Sequence, residues 1–356
     1  MLYSGSPAFG PAQAGSLKVC WSCHVGVPCG DPVGGAAAAA TTTTTAGATA
    51  TATASWRAVS ADFAADGSLL LLAAVGGVDG TSGKLLVVDL KTACVSRVYD
   101  CPEGGVSCAL FVALSTAECL IGGAEADACV RQWDLNSNTL VCAYPLPAPL
   151  IGCDGLTAHP RQRLFLASCS NGMVLLFDLK QTQPLACMHC SNPRPAIAFD
   201  FEGLVFAVAR SSTHVHLVNS ELTDLQEFSA FDLSDSLGPG TSIVMARLSG
   251  ASGGNAPCVV NCCPTFSVNS LLLFWSRGNF ITVFKVPSPA DTNAKKQQQQ
   301  QQDEQQGGQL EEADLLVARH RGHAEPVVIV KASPAHSLLL TVAGGVVALW
   351  QPMSQV

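Results

Sequence analysis

The hydrophobic and polar residues of this chain alternate in the way that is typical of short β-strands. From Cys129 to Leu135, successive side chains would point to opposite faces, which predicts a strand. Apolar runs such as Leu69–Val75 have strand length, and Asp66-Gly67 and Asn171-Gly172 are typical of tight hairpin turns. The pattern therefore predicts an all-β chain.

One strand ending recurs at a regular interval. A hydrophobic residue is followed by Asp and Leu at three places, and by Asn at a fourth: Val88-Asp89-Leu90, Trp133-Asp134-Leu135, Phe177-Asp178-Leu179 and Val218-Asn219. The intervals between the hydrophobic residues are 45, 44 and 41. A period of about 40–45 residues with a Trp-Asp step resembles the WD40 repeat, in which each repeat forms one four-stranded blade of a β-propeller.

Blade boundaries follow from this period. We predict four blades at about 57–100, 104–146, 149–189 and 193–231, and a last one from Val327 to Trp350. Between them the spacing slips, because Phe284 follows Val218 by 66 residues. Residues 241–286 are therefore either one blade with an inserted loop or the remnants of two. The prediction is a WD40 β-propeller with six recognisable blades over residues 57–353.

The last predicted blade has three strands of its own. Residues 16–25 include an isolated strand-like stretch, Leu17–Cys23, and we expect it to close the ring as the fourth strand of that blade. Three segments lack the large apolar side chains that folding requires. We expect disorder in residues 1–15, in the Ala- and Thr-rich residues 26–56, and in the Gln-rich residues 287–309.

Composition and charge narrow the class of partner. The chain is 48% hydrophobic and 13% charged, with a formal net charge of −8, and no apolar run reaches the ~18–20 residues of a membrane span. Arg319-His320-Arg321 is a small basic cluster in this acidic chain. We therefore expect protein partners and neither direct nucleic-acid nor membrane binding. The sixteen cysteines lie mostly in apolar strand runs and no signal peptide precedes them, which favours reduced thiols in an intracellular protein.

Few residue patterns point to catalysis. Cys20-Trp21-Ser22-Cys23-His24 matches a haem-attachment pattern, but the stretch is better explained as the closing strand. Cys187 and Cys190 would complete a zinc set with Cys20 and Cys23, across 164 residues of sequence. Because no nucleophile motif, phosphate loop or credible metal set is found, we expect no cofactor, no metal, no small-molecule substrate and no enzymatic activity.

The WD40 resemblance depends on a small set of positions, which we interpret as structural: Asp89, Asp127, Trp133, Asp134, Phe177, Asp178, Gly322 and His323. With one Trp-Asp pair and one Gly-His pair, several blades lack the usual polar tetrad. We expect the Trp133 ring to fill the gap between neighbouring sheets. The residues that bind partners are not identified by any motif.

Two stretches resemble a narrower family. Pro195–Ala207, and the ending from Gly322-His323 to Ala348–Pro352, are similar to the small WD-repeat subunit of COMPASS-type histone H3 lysine-4 methyltransferase complexes. That family has seven blades, one more than this chain shows. The resemblance implies a non-catalytic nuclear scaffold that binds the methyltransferase or other subunits at transcribed chromatin. Relatives also serve in transcription termination, RNA 3′-end processing and phosphatase assemblies. The alternative is a generic WD-repeat adaptor, such as the substrate receptor of a ubiquitin ligase.

Overall fold

In a computed structural model, the chain is described over residues 17–24, 56–76, 82–101, 105–123, 127–152, 155–190, 195–209, 214–219, 227–232, 264–277, 279–286, 316–321, 323–343 and 346–352. These residues form 24 β-strands in six four-stranded sheets. Of the segments predicted to be disordered, 1–15 and 287–309 lie outside the described residues, as does 26–56 apart from Trp56, which is described. Among the described residues, no helix has the length and apolar character needed to span a membrane.

Each sheet is one blade. Blade 1 consists of β2 (Arg57–Phe63), β3 (Leu69–Gly76), β4 (Ser82–Asp89) and β5 (Cys94–Asp100). Blade 2 consists of β6 (Cys108–Phe111), β7 (Glu118–Gly122), β8 (Cys129–Asp134) and β9 (Thr139–Pro145). Blade 3 consists of β10 (Leu156–Ala158), β11 (Leu164–Ser168), β12 (Met173–Asp178) and β13 (Pro184–His189).

Blades 4 to 6 follow in chain order. Blade 4 consists of β14 (Ala196–Phe199), β15 (Val205–Ala209), β16 (His214–Asn219) and β17 (Glu227–Asp232). Blade 5 consists of β18 (Pro264–Phe266), β19 (Leu272–Arg277), β20 (Phe280–Lys285) and β21 (Leu316–Arg321). Blade 6 consists of β22 (Val327–Ala332), β23 (Leu339–Ala343) and β24 (Val346–Pro352), with β1 (Leu17–His24) at its outer edge.

The fourth strand of blade 6 comes from the beginning of the chain. β1 pairs antiparallel with β24, from Leu17 opposite Pro352 to His24 opposite Val346. The innermost strands β2, β6, β10, β14, β18 and β22 each pack against the next, and β22 packs against β2, so six blades complete the circle. The predicted all-β propeller with six recognisable blades and an N-terminal closing strand is confirmed. The stretch whose blade count was left open contributes β18, β19 and β20 to one blade.

Burial follows position within a blade. Because the two faces of a sheet pack against the neighbouring blades, the second strands are mostly apolar, and all five residues of β11 are buried. Outer strands such as β5 and β13 are mostly exposed. Six apolar clusters connect each blade to the next around the ring. Each buried large side chain in them contributes roughly 1.5–3 kcal/mol, so the gaps between blades are the core of the molecule.

Candidate functional site

The recurring aspartates cap the turn between the third and outer strands of their blades. Asp134 accepts hydrogen bonds from the Asn136 N–H at 2.8 Å and from the Ser137 hydroxyl at 2.9 Å. The bond from Asn136 is the main cause that lowers the pKa of Asp134, because it stabilises the ionised carboxylate. Asp89 and Asp178 accept equivalent bonds from the second following N–H, at 2.7 and 2.9 Å. These carboxylates shape the turns.

The leucine after each of these aspartates connects the turn after the third strand to the turn before the second strand of the same blade. Leu90, Leu135 and Leu179 are buried, and their N–H groups donate to carbonyls at the start of the second strand, those of Ser68, Ala117 and Arg163, at 2.7–3.0 Å. The repeated hydrophobic-Asp-Leu step therefore marks a capped turn followed by an anchored side chain.

The hydrophobic member of the step occupies the same place in blades 1 to 3, and Trp350 occupies this place in blade 6. Cross-strand pairing aligns Val88 with Leu70, Trp133 with Cys119, Phe177 with Phe165 and Trp350 with Leu339. Phe177 is fully buried and stacks on Phe165, with ring centroids 4.9 Å apart. Trp133 packs in the gap between blades 1 and 2 as expected, but it is half-buried and lies on the third strand, β8.

Blade 6 holds a buried polar triad. The Trp350 indole N–H donates to the Thr341 hydroxyl at 2.7 Å, and His323 Nε2 lies 2.6 Å from the same oxygen. Burial lowers the pKa of His323, so its imidazole is neutral at neutral pH. The position of Thr341 is taken by Ile121 in blade 2, and the Trp133 indole N–H donates instead to Asn138 Oδ1 at 3.1 Å. Gly322 lies outside the described residues.

Asp127 is an ion-pair partner. Its carboxylate binds the guanidinium of Arg131 on β8. A Cβ atom at Gly123 would lie 2.4 Å from Asp127 Oδ2, so only glycine fits beside this carboxylate. The Asp127 carboxylate is therefore held between Gly123 and Arg131.

Side chains near the centre of the ring connect each odd-numbered blade to the next. Asp62, Thr157 and Thr265 accept hydrogen bonds from the backbone N–H groups of Phe111, Phe199 and Ala332 at 3.0–3.4 Å. Burial raises the pKa of Asp62 to about 6, and the charge of Lys331 on β22 partly opposes this. These three residues carry no repeat motif, and only the register of the innermost strands identifies them.

A serine, an aspartate and a histidine come together where blades 3, 4 and 5 meet. Asp200 accepts hydrogen bonds from the Ser270 hydroxyl at 3.2 Å and from the Val205 N–H at 3.0 Å. His159 Nδ1 accepts bonds from the N–H groups of Arg161 and Gln162, both at 3.0 Å. Ser270 bonds to the carboxylate and not to the imidazole, so these three described residues connect blades and lack the order of a catalytic triad.

Two motifs with metal chemistry are placed in strands. Cys20 to His24 belong to β1, which is paired along its length with β24. Cys187 is exposed on β13 and Cys190 is buried just after it. Within the described ranges, no three His, Cys, Asp or Glu side chains are grouped as metal ligands.

The turns between first and second strands present apolar side chains to solvent on one face of the ring. Leu114, Leu204 and Leu271, from blades 2, 4 and 5, are 73%, 67% and 54% exposed. Leu114 also has a φ of +58°, a conformation that disfavours leucine. Between them, Arg163 pairs with Glu118 at 2.9 Å and Arg161 pairs with Glu202 at 2.6 Å. We name this set the turn face.

These features define the class: a β-propeller that resembles WD40 propellers and presents rigidly held turns. No protein-family model matches the sequence, and no curated protein sequence matches it. Among solved structures, the β-propeller domain of Cps50 (Swd1) from Myceliophteria thermophila has a TM-score of 0.53 at 12% identity and covers 83% of both chains. A chain of the mitotic checkpoint complex has a TM-score of 0.53 at 13% identity, covering 83% of this chain and 74% of that one. At these identities the likeness establishes the fold.

Proposed function

We propose that this protein is a non-catalytic scaffold subunit of a COMPASS-type histone H3 lysine-4 methyltransferase complex and acts in the nucleus. The observation that carries the proposal is the resemblance of Pro195–Ala207 and the chain ending to the small WD-repeat subunit of those complexes. The fold is similar to the Swd1 propeller and to a chain of the mitotic checkpoint complex with the same TM-score of 0.53, which agrees with a propeller scaffold.

The described residues support a scaffold more than an enzyme. The buried polar side chains of Thr341 and Asp200 bond to other side chains and to backbone groups of the fold, and Asp134 bonds to its own turn. The exposed apolar residues of the turn face lie on turns that the blades hold rigidly, which suits binding of protein partners. The formal net charge of −8 disfavours direct contact with DNA, so we infer contact with chromatin through other subunits.

The test is recovery of partners from cells that express a tagged copy, combined with measurement of global histone H3 lysine-4 methylation after depletion. We expect methyltransferase subunits among the partners and reduced methylation. Unchanged methylation with recovery of ubiquitin-ligase subunits would replace this proposal by the adaptor alternative.

Surface variants make the test specific. Leu114→Asp with Leu204→Asp places charges on the turn face, and because both side chains are largely exposed the fold should be retained. We expect partners to be lost. The matched control is Val141→Asp, on the outer strand β9, where the side chain is 54% exposed and partner recovery should be unchanged.

A further inference from the structure

Among the residues that the structure describes, two buried polar side-chain atoms in blade 5 have no hydrogen-bond partner. They are the indole nitrogen of Trp275 and the hydroxyl oxygen of Thr282. Both residues are almost completely buried, at 0% and 2% exposure. An unpaired buried donor is energetically costly, so two at paired positions of neighbouring strands call for an explanation.

The two groups belong to one row of side chains across the blade. Trp275 on β19 pairs with Thr282 on β20, and Thr282 pairs with Arg319 on the outer strand β21. Residues paired in this way share a face of the sheet, with Cβ atoms about 4.5–5.5 Å apart. Trp275 packs on alanines of blade 4, which fixes the face as the one toward that blade.

The next row on the same face continues to the surface. Phe280 is 38% exposed and pairs with the exposed Arg321, while the guanidinium of Arg319 lies over the Phe280 ring, 5.9 Å from its centroid. Two guanidinium groups and an aromatic ring therefore flank the outer end of the row that begins at Trp275.

Blade 6 provides the contrast. The Ser333 N–H donates to the Leu338 carbonyl in blade 6, as the Ser267 N–H donates to the Leu272 carbonyl in blade 5. Counting three residues on from each leucine, Thr341 in blade 6 occupies the position of Trp275 in blade 5. In blade 6 the Thr341 oxygen accepts the indole N–H of Trp350. In blade 5, Trp275 occupies the position of Thr341, and its indole N–H has no acceptor among the described residues. In the described part of the chain, the unsatisfied buried side-chain groups are therefore both in blade 5.

We propose that the row Trp275–Thr282–Arg319, with Arg321 and Phe280 at its outer end, binds a carboxylate from an acidic segment of a partner protein. A carboxylate offers about four acceptor positions, enough for the indole N–H, the hydroxyl and the guanidinium of Arg319. Phe280 provides an apolar contact for the aliphatic part of the acidic side chain. The charge is complementary locally, because the guanidinium groups of Arg319 and Arg321 on β21 would meet the negative charge of the acidic segment.

A carboxylate fits this row better than the phosphates of a nucleic acid. The innermost donors are two neutral groups and the cations lie at the surface, so the deep part of the row matches a single negative charge. A nucleic-acid surface would need many more basic residues than this chain carries. The inference deepens the proposed scaffold function by assigning a partner chemistry, and it does not depend on which complex the chain joins.

The experiment observes the indole N–H groups directly by nitrogen-15 NMR. The chain contains five tryptophans, and Trp275→Phe assigns the Trp275 signal. Acetate and hexaglutamate are titrated at constant ionic strength, with chloride, inorganic phosphate and an oligouridylate as comparison probes. We expect the Trp275 proton to shift downfield with acetate and hexaglutamate, as an N–H does on gaining an acceptor.

Three variants test the individual donors. Thr282→Val and Arg319→Gln should each weaken the apparent affinity for hexaglutamate by at least about tenfold. Arg57→Gln, an exposed arginine on β2, is the matched control and should leave it unchanged. The other indole signals report that each variant is folded.

Two outcomes would overturn the assignment. One is a Trp275 signal that carboxylates do not move, or move no more than chloride. The other is tighter binding of phosphate or oligouridylate than of hexaglutamate. Because the titration uses the protein and small probes alone, either result leaves the proposed membership of a methyltransferase complex to its own test.

Discussion

At the scale of single residues, Gly203 illustrates how closely neighbouring blades approach. Its φ is +78°, and a Cβ atom there would lie 2.3 Å from Cε1 and Nε2 of His159 in blade 3. His159 has little freedom to move, because its Nδ1 accepts two backbone bonds and its ring lies 5.2 Å from that of Phe199. The glycine is thus required both by the backbone and by the adjoining side chain.

Gly203→Ala should therefore lower the free energy of unfolding by more than about 2 kcal/mol, measured by urea denaturation. Gly152→Ala is the matched control. Gly152 also has a positive φ, +112°, but no atom lies within 4 Å of its added Cβ. It should lose only the backbone contribution of about 1–2 kcal/mol. Equal losses in the two variants would contradict the clash with His159.

The sequence predicted some of these residue roles and not others. Asp89, Asp134 and Asp178 recur at a fixed period, and aspartates in tight turns usually bond to nearby backbone, so their structural interpretation could be made from the sequence. The partner of Trp350 could not, because Thr341 meets it only through the register of β23 and β24. The partial exposure of the Trp133 side chain could not be predicted from the sequence either, because it depends on how blades 1 and 2 pack.

At the scale of strands, β9 combines an exposed edge with one deeply buried side chain. Tyr144 is 0% exposed, and its hydroxyl lies 2.8 Å from Gln132 Oε1 and 2.9 Å from the carbonyl of Leu179 in blade 3. Gln132 Nε2 donates in turn to Glu118, which also pairs with Arg163. This network runs from a buried outer strand residue to the surface and connects blades 2 and 3.

Tyr144→Phe should lower the free energy of unfolding by about 1–3 kcal/mol, because the single hydroxyl proton that lies between two buried acceptors is lost. The matched control is Tyr99→Phe. The Tyr99 hydroxyl donates to the Leu135 carbonyl at 2.7 Å, but that site is only half-buried, so water replaces the bond. Its loss should stay below about 1 kcal/mol. A thermal or urea melt in which Tyr99→Phe costs as much as Tyr144→Phe would refute this account.

The strands also explain where sequence reasoning stopped. The third strand of a blade ends in a repeated motif and is predictable, whereas the outer strand carries no motif. β21 follows β20 only after residues 286–315, so nothing in the sequence places Arg319 beside Thr282. The row Trp275–Thr282–Arg319 was therefore identified only from the strand register in the structure. The sequence showed Arg319-His320-Arg321 only as a basic cluster.

At the scale of the whole molecule, the ring is closed by β22 packing on β2, where Asp62 and Lys331 face each other across the last gap. Burial raises the pKa of Asp62 from 3.8 to about 6. Between these values the folded state holds a proton that the unfolded state has released. The free energy of unfolding should therefore decrease as the pH rises from about 4 to about 6.

Asp62→Asn should remove this dependence, since an amide oxygen still accepts the Phe111 N–H without a buried charge. We expect the variant to be more stable than the wild type at pH 7.5, by up to about 3 kcal/mol, and equally stable near pH 4. Urea denaturation at both pH values measures the difference. A variant that is less stable at pH 7.5 would show that attraction to Lys331 outweighs the desolvation of Asp62.

The closing strand has a consequence for how the protein is made. β1 is synthesised before every strand of the six blades, yet its partner β24 ends at Pro352. At about 5–20 residues per second, the ribosome needs roughly 15–65 s to travel between them. During that time β1 is an unpaired strand beside a growing, incomplete circle. A chaperone that shields it would protect the nascent chain until its final residues emerge.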